Sequence, residues 1–212
     1  MIALSPAGCL ADVTPAQLEE MRAEFASLHT LKLEGFLSPP LLHLITPFLS
    51  KEAFYEHFDG IARELKMQDN VAVHLLRLQM NDSKLHDQIR AITGCEGIHS
   101  FKGRIYRMQP GGAHRDDWHD DDGVGRLIGM SINLSPEPYG GGTFQIKYRD
   151  SDTLIRTVPN LVPGDAILFR LGENLLHRIT PMEGTRDKTA FAGWFHSQND
   201  FADFLKQPAS QP

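Results

Sequence analysis

The chain has 212 residues, 41% of them hydrophobic and 23% charged, with a formal net charge of −6. That length fits one domain with a packed core, and the balance of apolar to charged residues excludes wholesale disorder. No cluster of Lys or Arg appears, so nucleic acid is not an expected partner, and no run approaches the ~20 apolar residues of a spanning helix, so no membrane partner is expected.

The first residues, Met1 to Val13, read as a loose terminus without the basic and apolar regions of a secretory signal. Cys9 lies in it, and Cys95 is the other of the two cysteines. A structural disulfide is therefore not expected, and a reducing cytoplasm is the predicted location. Thr14-Pro15-Ala16-Gln17 is a capping-box start with Pro at the first helical position. Leu18, Met21, Phe25 and Leu28 follow at helical spacing. "TLKLEGFLS" (30–38) alternates like a strand before a turn. "PPLLHLITPFL" and "KEAFYEHFDGIARELK" read as helices starting after Ser38 and at Ser50, and "DNVAVHLLRL" and "SKLHDQIRAIT" as further helical stretches. From about Ser100 the pattern changes to short segments rich in Ile, Phe, Thr and Val, split by Gly, Pro and Asp. Such segments predict a sandwich or barrel of antiparallel strands. The expectation is one α+β domain over 1–212: a helical part at about 14–95, then a β-core at about 100–196, with a loose tail from Lys206.

The segment Gly111–Gly123, "GGAHRDDWHDDDG", packs five Asp and two His around one Trp. A bound cation would relieve the repulsion among those carboxylates. His-x-Asp at a strand end aims an imidazole and a carboxylate at one point, because residues i and i+2 share a face. Two His and one carboxylate on one face of an octahedron leave three positions open, the arrangement of non-haem Fe(II) oxygenases. Three His-x-Asp pairs occur: His57/Asp59, His114/Asp116 and His119/Asp121. The first falls in the helical pattern and reads as a solvated helix face; the other two compete. The acidic loop Asp116, Asp117, Asp120 and Asp122 reads as a lip favouring a neutral or cationic substrate.

After His119/Asp121 come Arg126, the strand "LIGMSINLS", "PEPYGGG" and "TFQIKY". "VPGDAILF" and "RLGENLLHRITPMEGTRDKTAFAGWF" follow. In this order, between about Tyr106 and Phe195, the sequence resembles the 2-oxoglutarate- and Fe(II)-dependent dioxygenases, in particular their prolyl-4-hydroxylase-like branch. The resemblance implies a double-stranded β-helix (jelly-roll) core flanked by the N-terminal helices, with His119, Asp121 and His177 as metal ligands. His114 and Asp116 are the alternative ligands, or else lie just behind the metal site. The resemblance also implies a basic residue after the distal His for the C5 carboxylate of 2-oxoglutarate. Lys188, six residues before Trp194 and followed on its face by the small Ala190 and Ala192, is favoured over Arg186. Two residues beyond Lys188 stands Ala190, where the family has Ser or Thr. Asn133 and Tyr106 are further candidates for cosubstrate contact. Gly140, Gly141 and Gly142 read as a structural turn, Arg126 as a strand-start residue in a polar network, and His196 as a surface residue.

The implied cofactors are Fe(II), 2-oxoglutarate as cosubstrate, O2 and, in some members, L-ascorbate. The implied activity is hydroxylation of a peptidyl or free amino acid or a small metabolite, with 2-oxoglutarate decarboxylated to succinate and CO2. The partner is thus a small molecule or a peptide. Two other classes remain open. One is a cupin-like or zinc-dependent hydrolase on the same His/Asp/His set. The other is a non-enzymatic β-sandwich holding Ca²⁺ in the Asp cluster, although an EF-hand is excluded because Trp118 and Gly129 would fall at ligand positions.

Overall fold

The computed structural model describes residues 1–50 and 53–198. β1 (Ile2–Ser5) and β2 (Gly8–Ala11) pair as an antiparallel hairpin, where the sequence predicts a loose terminus. Ile2, Ala3, Leu4 and Cys9 are buried, and Leu4 bridges to Leu37. A four-residue strand carries little local signal; its order comes from the tertiary partners that bury it. Both cysteines are free thiols. The tail from Lys206 lies outside the described residues.

α1 (Pro15–Leu28) starts as its sequence dictates. Thr14 Oγ1 accepts from the Gln17 amide at 3.3 Å, and the Thr14 amide donates to Gln17 Oε1 at 3.0 Å. β3 (Thr30–Leu33) and α2 (Pro39–Ile45) follow as read. The next segment departs from expectation. It forms two strands, β4 (Phe54–Phe58) and β5 (Ala62–Met67), paired antiparallel, rather than a helix. Asp59-Gly60 closes the hairpin: Asp59 Oδ1 accepts from the amides of Ile61 at 3.1 Å and Ala62 at 2.8 Å, and Gly60 takes φ 96°. That turn signal and the aromatic residues of β4 outweigh the helical spacing of the apolar positions. His57 and Asp59 therefore sit on a hairpin, not a helix face. α3 (Val71–Met80) is capped by Asn70, and α4 (Ser83–Thr93) is capped by Asp82 and ended by Gly94 at φ 68°.

The remaining chain is β6 (Ser100–Met108), β7 (Arg115–Asp116), β8 (Arg126–Asn133), β9 (Gly140–Gly141), β10 (Phe144–Tyr148), β11 (Leu154–Val158), β12 (Ala166–Arg170), β13 (Leu175–Ile179), β14 (Met182–Glu183) and β15 (Lys188–His196). A large antiparallel sheet runs β3-β12-β8-β15-β6-β5-β4, with β7 also on β5; a small sheet runs β11-β10-β13. The two sheets form the jelly-roll core. Three of the large sheet's strands come from the part predicted to be helical.

Strand alternation sorts side chains between two apolar layers. On β12, Ala166 and Leu168 join the layer with Phe25, Leu76 and Ile89 from the helices, while Ile167 and Phe169 join Phe144 and Ile146 from the small sheet. On β15, Phe191 and Phe195 face the helices and Ala190 faces the small sheet. His196, at the end of β15, is buried and not at the surface where the sequence reading puts it. Among the described residues, no helix is long and apolar enough to cross a membrane.

Candidate metal centre and cosubstrate pocket

His119 and His177 are tied backbone to backbone. The His119 amide donates to the His177 carbonyl at 3.1 Å, and the His177 amide donates back at 2.8 Å. This antiparallel bridge links the loop after β7 to β13 and leaves the two rings 4.3 Å apart, centre to centre. Asp121 completes the group, adopting φ 57°, a left-handed conformation that Asp tolerates better than most residues. One ligand atom from each of His119, Asp121 and His177 lies within 4.8 Å of the other two. His177 Nε2 is 3.1 Å from Asp121 Oδ2, and His119 Nε2 is 3.5 Å from Asp121 Oδ1.

The surroundings orient these groups. His119 Nδ1 lies 2.7 Å from the Asp117 carbonyl oxygen. It can meet that acceptor only as N–H, which leaves the Nε2 lone pair facing Asp121 and free for a metal. The Trp194 indole donates to Asp121 Oδ2 at 2.7 Å. Arg126, the first residue of β8, stacks 3.7 Å above the Trp194 ring and donates to the Asp121 carbonyl at 3.3 Å. Burial pushes the Asp121 carboxyl up, but the hydrogen bond and charge of His177, the charge of His119 and the indole hold it down at about 2. Asp121 is thus a carboxylate across the whole physiological range, as a metal ligand must be. Two imidazole nitrogens and one carboxylate, converging on one wall of an open cavity of about 310 Å³, fit Fe(II) in the facial arrangement.

The rival pair lies elsewhere. His114 is buried, accepting at Nδ1 from the Gln109 amide at 2.8 Å, with Nε2 3.4 Å from Glu56. Asp116 is turned inward on β7, accepting from the Ile179 amide at 2.8 Å and standing 3.5 Å from His119 Nδ1. Desolvation raises its pKa against the pull of His119 and His177. Asp116 therefore backs His119, and His114 is buried away from it. The acidic lip is also largely internally balanced: Asp117 pairs with Arg115, and Asp120 pairs with Arg149.

Lys188 and Arg186 differ sharply. Arg186 is exposed and pairs with Glu137 at 2.6 Å. Lys188 is 3% exposed, with its ammonium donating to the Gly142 carbonyl at 2.8 Å, beside Tyr139 and between the two sheets. Desolvation pulls its pKa down to about 8, opposed in part by Asp116. A buried ammonium without a carboxylate against it is costly and calls for an anion. Asn133, one strand away opposite Ala190, is fully buried; its Oδ1 accepts from the Ser135 amide at 2.9 Å, and its Nδ2 donor has no partner among the described residues. Both lie beyond the open cavity rather than on its walls. Tyr106 does line the cavity and is 5% exposed, its phenol pushed up by burial and by Glu64. The Gly turn is structural as read: a Cβ on Gly141 would come within 2.1 Å of the Pro181 carbonyl oxygen.

Sequence reasoning singled out the three residues that the structure brings together but missed what surrounds them. Trp194 was visible as part of a motif, not as a donor to Asp121. Arg104 and Glu64, an ion pair at 2.7 Å in the cavity wall, carried no local signal, because they are 40 residues apart on neighbouring strands.

The comparisons with known proteins agree with this geometry. Residues 103–196 match the family model described as the 2OG-Fe(II) oxygenase superfamily. No curated protein sequence matches the chain at a significant level. Among solved structures, a Pseudomonas putida prolyl-4-hydroxylase superposes with a TM-score of 0.64 at 17% identity, covering 85% of this chain and 99% of that one. A Trichoplax adhaerens prolyl hydroxylase, solved with a hypoxia inducible factor peptide, superposes at 0.62 and 14% identity, covering 92% and 98%. The α-ketoglutarate-dependent epimerase SnoN from nogalamycin biosynthesis superposes at 0.64 and 12% identity, covering 94% and 92%. Over residues 103–196 the chain thus resembles the 2OG-Fe(II) oxygenase superfamily, and its jelly-roll is similar in fold to those of the prolyl hydroxylases.

Proposed function

We propose that the protein, acting as one domain, is a hydroxylase in which His119, Asp121 and His177 hold Fe(II) and Lys188 receives the C5 carboxylate of 2-oxoglutarate. The observation that supports this most is the convergence of three ligand atoms within 4.8 Å on the wall of a cavity. With Fe(II), 2-oxoglutarate and O2 bound, the cofactor set supplies the oxidising power for C–H hydroxylation, with release of succinate and CO2.

The chain's own residues then have distinct tasks. Asp117 holds the His119 tautomer, the Trp194 indole holds the Asp121 carboxylate, and Arg126 holds the Asp121 backbone carbonyl. Lys188 exchanges the Gly142 carbonyl for the cosubstrate carboxylate, and the orphan Nδ2 of Asn133 is a second donor on the same face of the sheet. Phe144 and Phe169, whose rings lie 5.8 and 4.7 Å from that of His177, keep the floor of the site apolar and dry. A zinc hydrolase would have no use for a buried, unpaired Lys188 behind the site. The substrate is a small molecule or a peptide: the Trichoplax prolyl hydroxylase was solved with a peptide and SnoN with nogalamycin RO. The test is Fe(II)-dependent conversion of 2-oxoglutarate to succinate without added substrate. The purified protein should show slow turnover, and Lys188→Ala should raise the 2-oxoglutarate requirement at least tenfold while Arg186→Ala leaves it nearly unchanged.

A further inference from the structure

The cavity wall carries a cation, Arg104, whose donors are not used up. Arg104 lies on β6, and its Nε donates to Glu64 Oε1 at 2.7 Å. Glu64 is buried on β5, its side chain 4% exposed against 22% for Arg104. The Arg104 Cζ stands 5.9 Å from the centre of the Tyr106 ring and 5.8 Å from that of Trp194. One edge of the guanidinium is therefore fixed by a carboxylate, and two aromatic side chains flank it. Its two Nη groups have no hydrogen-bond partner among the described residues, and Arg104 lines the cavity.

The acids of the same cavity are mostly engaged. Asp59 caps the β4–β5 turn, Asp116 accepts from Ile179, Asp120 pairs with Arg149, and Asp121 is held by His177 and Trp194. Of the five cavity-lining Asp, only Asp122 has no side-chain partner among the described residues, and the cavity's forked donor is the Arg104 guanidinium. Trp194 links it to the metal centre: the same indole that meets Arg104 donates to Asp121.

We propose that the substrate carries a carboxylate, which the two Nη groups of Arg104 grip as a fork while Glu64 holds Nε in place. The proposal rests on the oxygenase reading of this cavity and adds the class of its substrate: a carboxylic acid, free or at the end of a peptide, whose reacting carbon lies close to its carboxylate. A neutral amide of the same shape cannot use the fork, since it offers one acceptor and a second group that is itself a donor.

The test uses protein loaded with Mn(II) and 2-oxoglutarate under anaerobic conditions, so that the metal and cosubstrate positions are filled. The probes are 4-fluorobenzoate and its amide, together with the smaller pair fluoroacetate and fluoroacetamide, observed by fluorine NMR. Mn(II) broadens the line of any probe that binds near it. At least one acid should broaden at a concentration about tenfold below its amide. Arg104→Gln should abolish that difference while 2-oxoglutarate still binds. Because Arg104→Gln leaves Glu64 buried without its partner, Glu64→Gln/Arg104→Gln is the second variant, keeping a neutral hydrogen-bonded pair with no fork for an anion. Displacement by N-acetylglycine or by tetraglycine then assigns the carboxylate to a free acid or to a peptide end. Equal broadening by acids and amides, no broadening by either acid, or persistence of the preference in the double variant overturns the inference. Loss of 2-oxoglutarate binding in both variants also overturns it, because Arg104 would then serve the cosubstrate. Failure of the wild type to bind Mn(II) or 2-oxoglutarate is a different result, and contradicts the oxygenase reading itself.

Discussion

The indole Nε1 of Trp194 donates to Asp121 Oδ2 at 2.7 Å, joining the last strand of the large sheet to a carboxylate 73 residues earlier in the chain. The bond holds one oxygen of the carboxylate in place and leaves the other directed toward His119. Removing the N–H while keeping an aromatic ring isolates this contribution. Trp194→Phe is expected to weaken Mn(II) binding about tenfold, the scale of effects seen when the groups behind metal ligands are lost. The dissociation constant can be read by electron paramagnetic resonance, with thermal unfolding as the control. An unchanged constant would reduce the indole to packing.

Lys188 links stability to pH. Its folded-state pKa of about 8 lies below the ordinary lysine value of 10.5, so between those values the unfolded chain binds more protons than the folded one. The ligand-free protein should therefore gain stability as pH rises from about 8 toward 10.5, and hold that gain above it. The shift corresponds to on the order of 3 kcal/mol, which other titrating groups will partly mask. Lys188→Met should remove this rise in urea-unfolding profiles, leave the ligand-free protein at least as stable at pH 7, and abolish 2-oxoglutarate binding. Destabilisation at pH 7 by Lys188→Met would show that the ammonium's bond to Gly142 outweighs its desolvation.

In the proposed anchor role, the same residue would set the pH dependence of cosubstrate binding. A carboxylate placed against the ammonium favours its charged form, so 2-oxoglutarate binding takes up protons near pH 8. Affinity measured by calorimetry should be flat below about pH 7.5 and fall above about pH 8. Affinity independent of pH up to 10 would remove Lys188 from the anchor role.

Gly129 tests the packing behind the metal centre. A Cβ there would stand 2.1 Å from the Phe169 ring, and Phe169 lies 4.7 Å from the His177 ring. Gly129→Ala should destabilise the protein by about 1–3 kcal/mol through overpacking and weaken metal binding by displacing His177. Phe169→Leu in the same background should recover part of both losses.

Much of the site was legible because its signals are local in sequence. His-x-Asp, the glycine turn, the Pro-x-x-Gly before β12 and the distal His each occupy a few residues, and their order carried the resemblance. The capping box of α1 was equally local. The failures share a different origin. Residues 54–67 contain apolar positions compatible with either period, and only the Asp59-Gly60 turn and the pairing of β5 with β6 decide for strands. β1 and β2 are ordered by contacts with Phe36 and Leu37, which no local pattern announces. His196 is buried, although its neighbours in sequence give no cue. Arg104 and Glu64 became a pair only once two strands were placed side by side.

The central claim is that His119, Asp121 and His177, and not His114, hold the metal. Mn(II) stoichiometry and affinity, measured on wild type, His119→Ala, His177→Ala and His114→Ala, test it most directly. The expected result is one ion per chain in wild type and in His114→Ala, with binding lost in the His119 and His177 variants. Loss in His114→Ala as complete as in His119→Ala, or undiminished binding in His177→Ala, would contradict it.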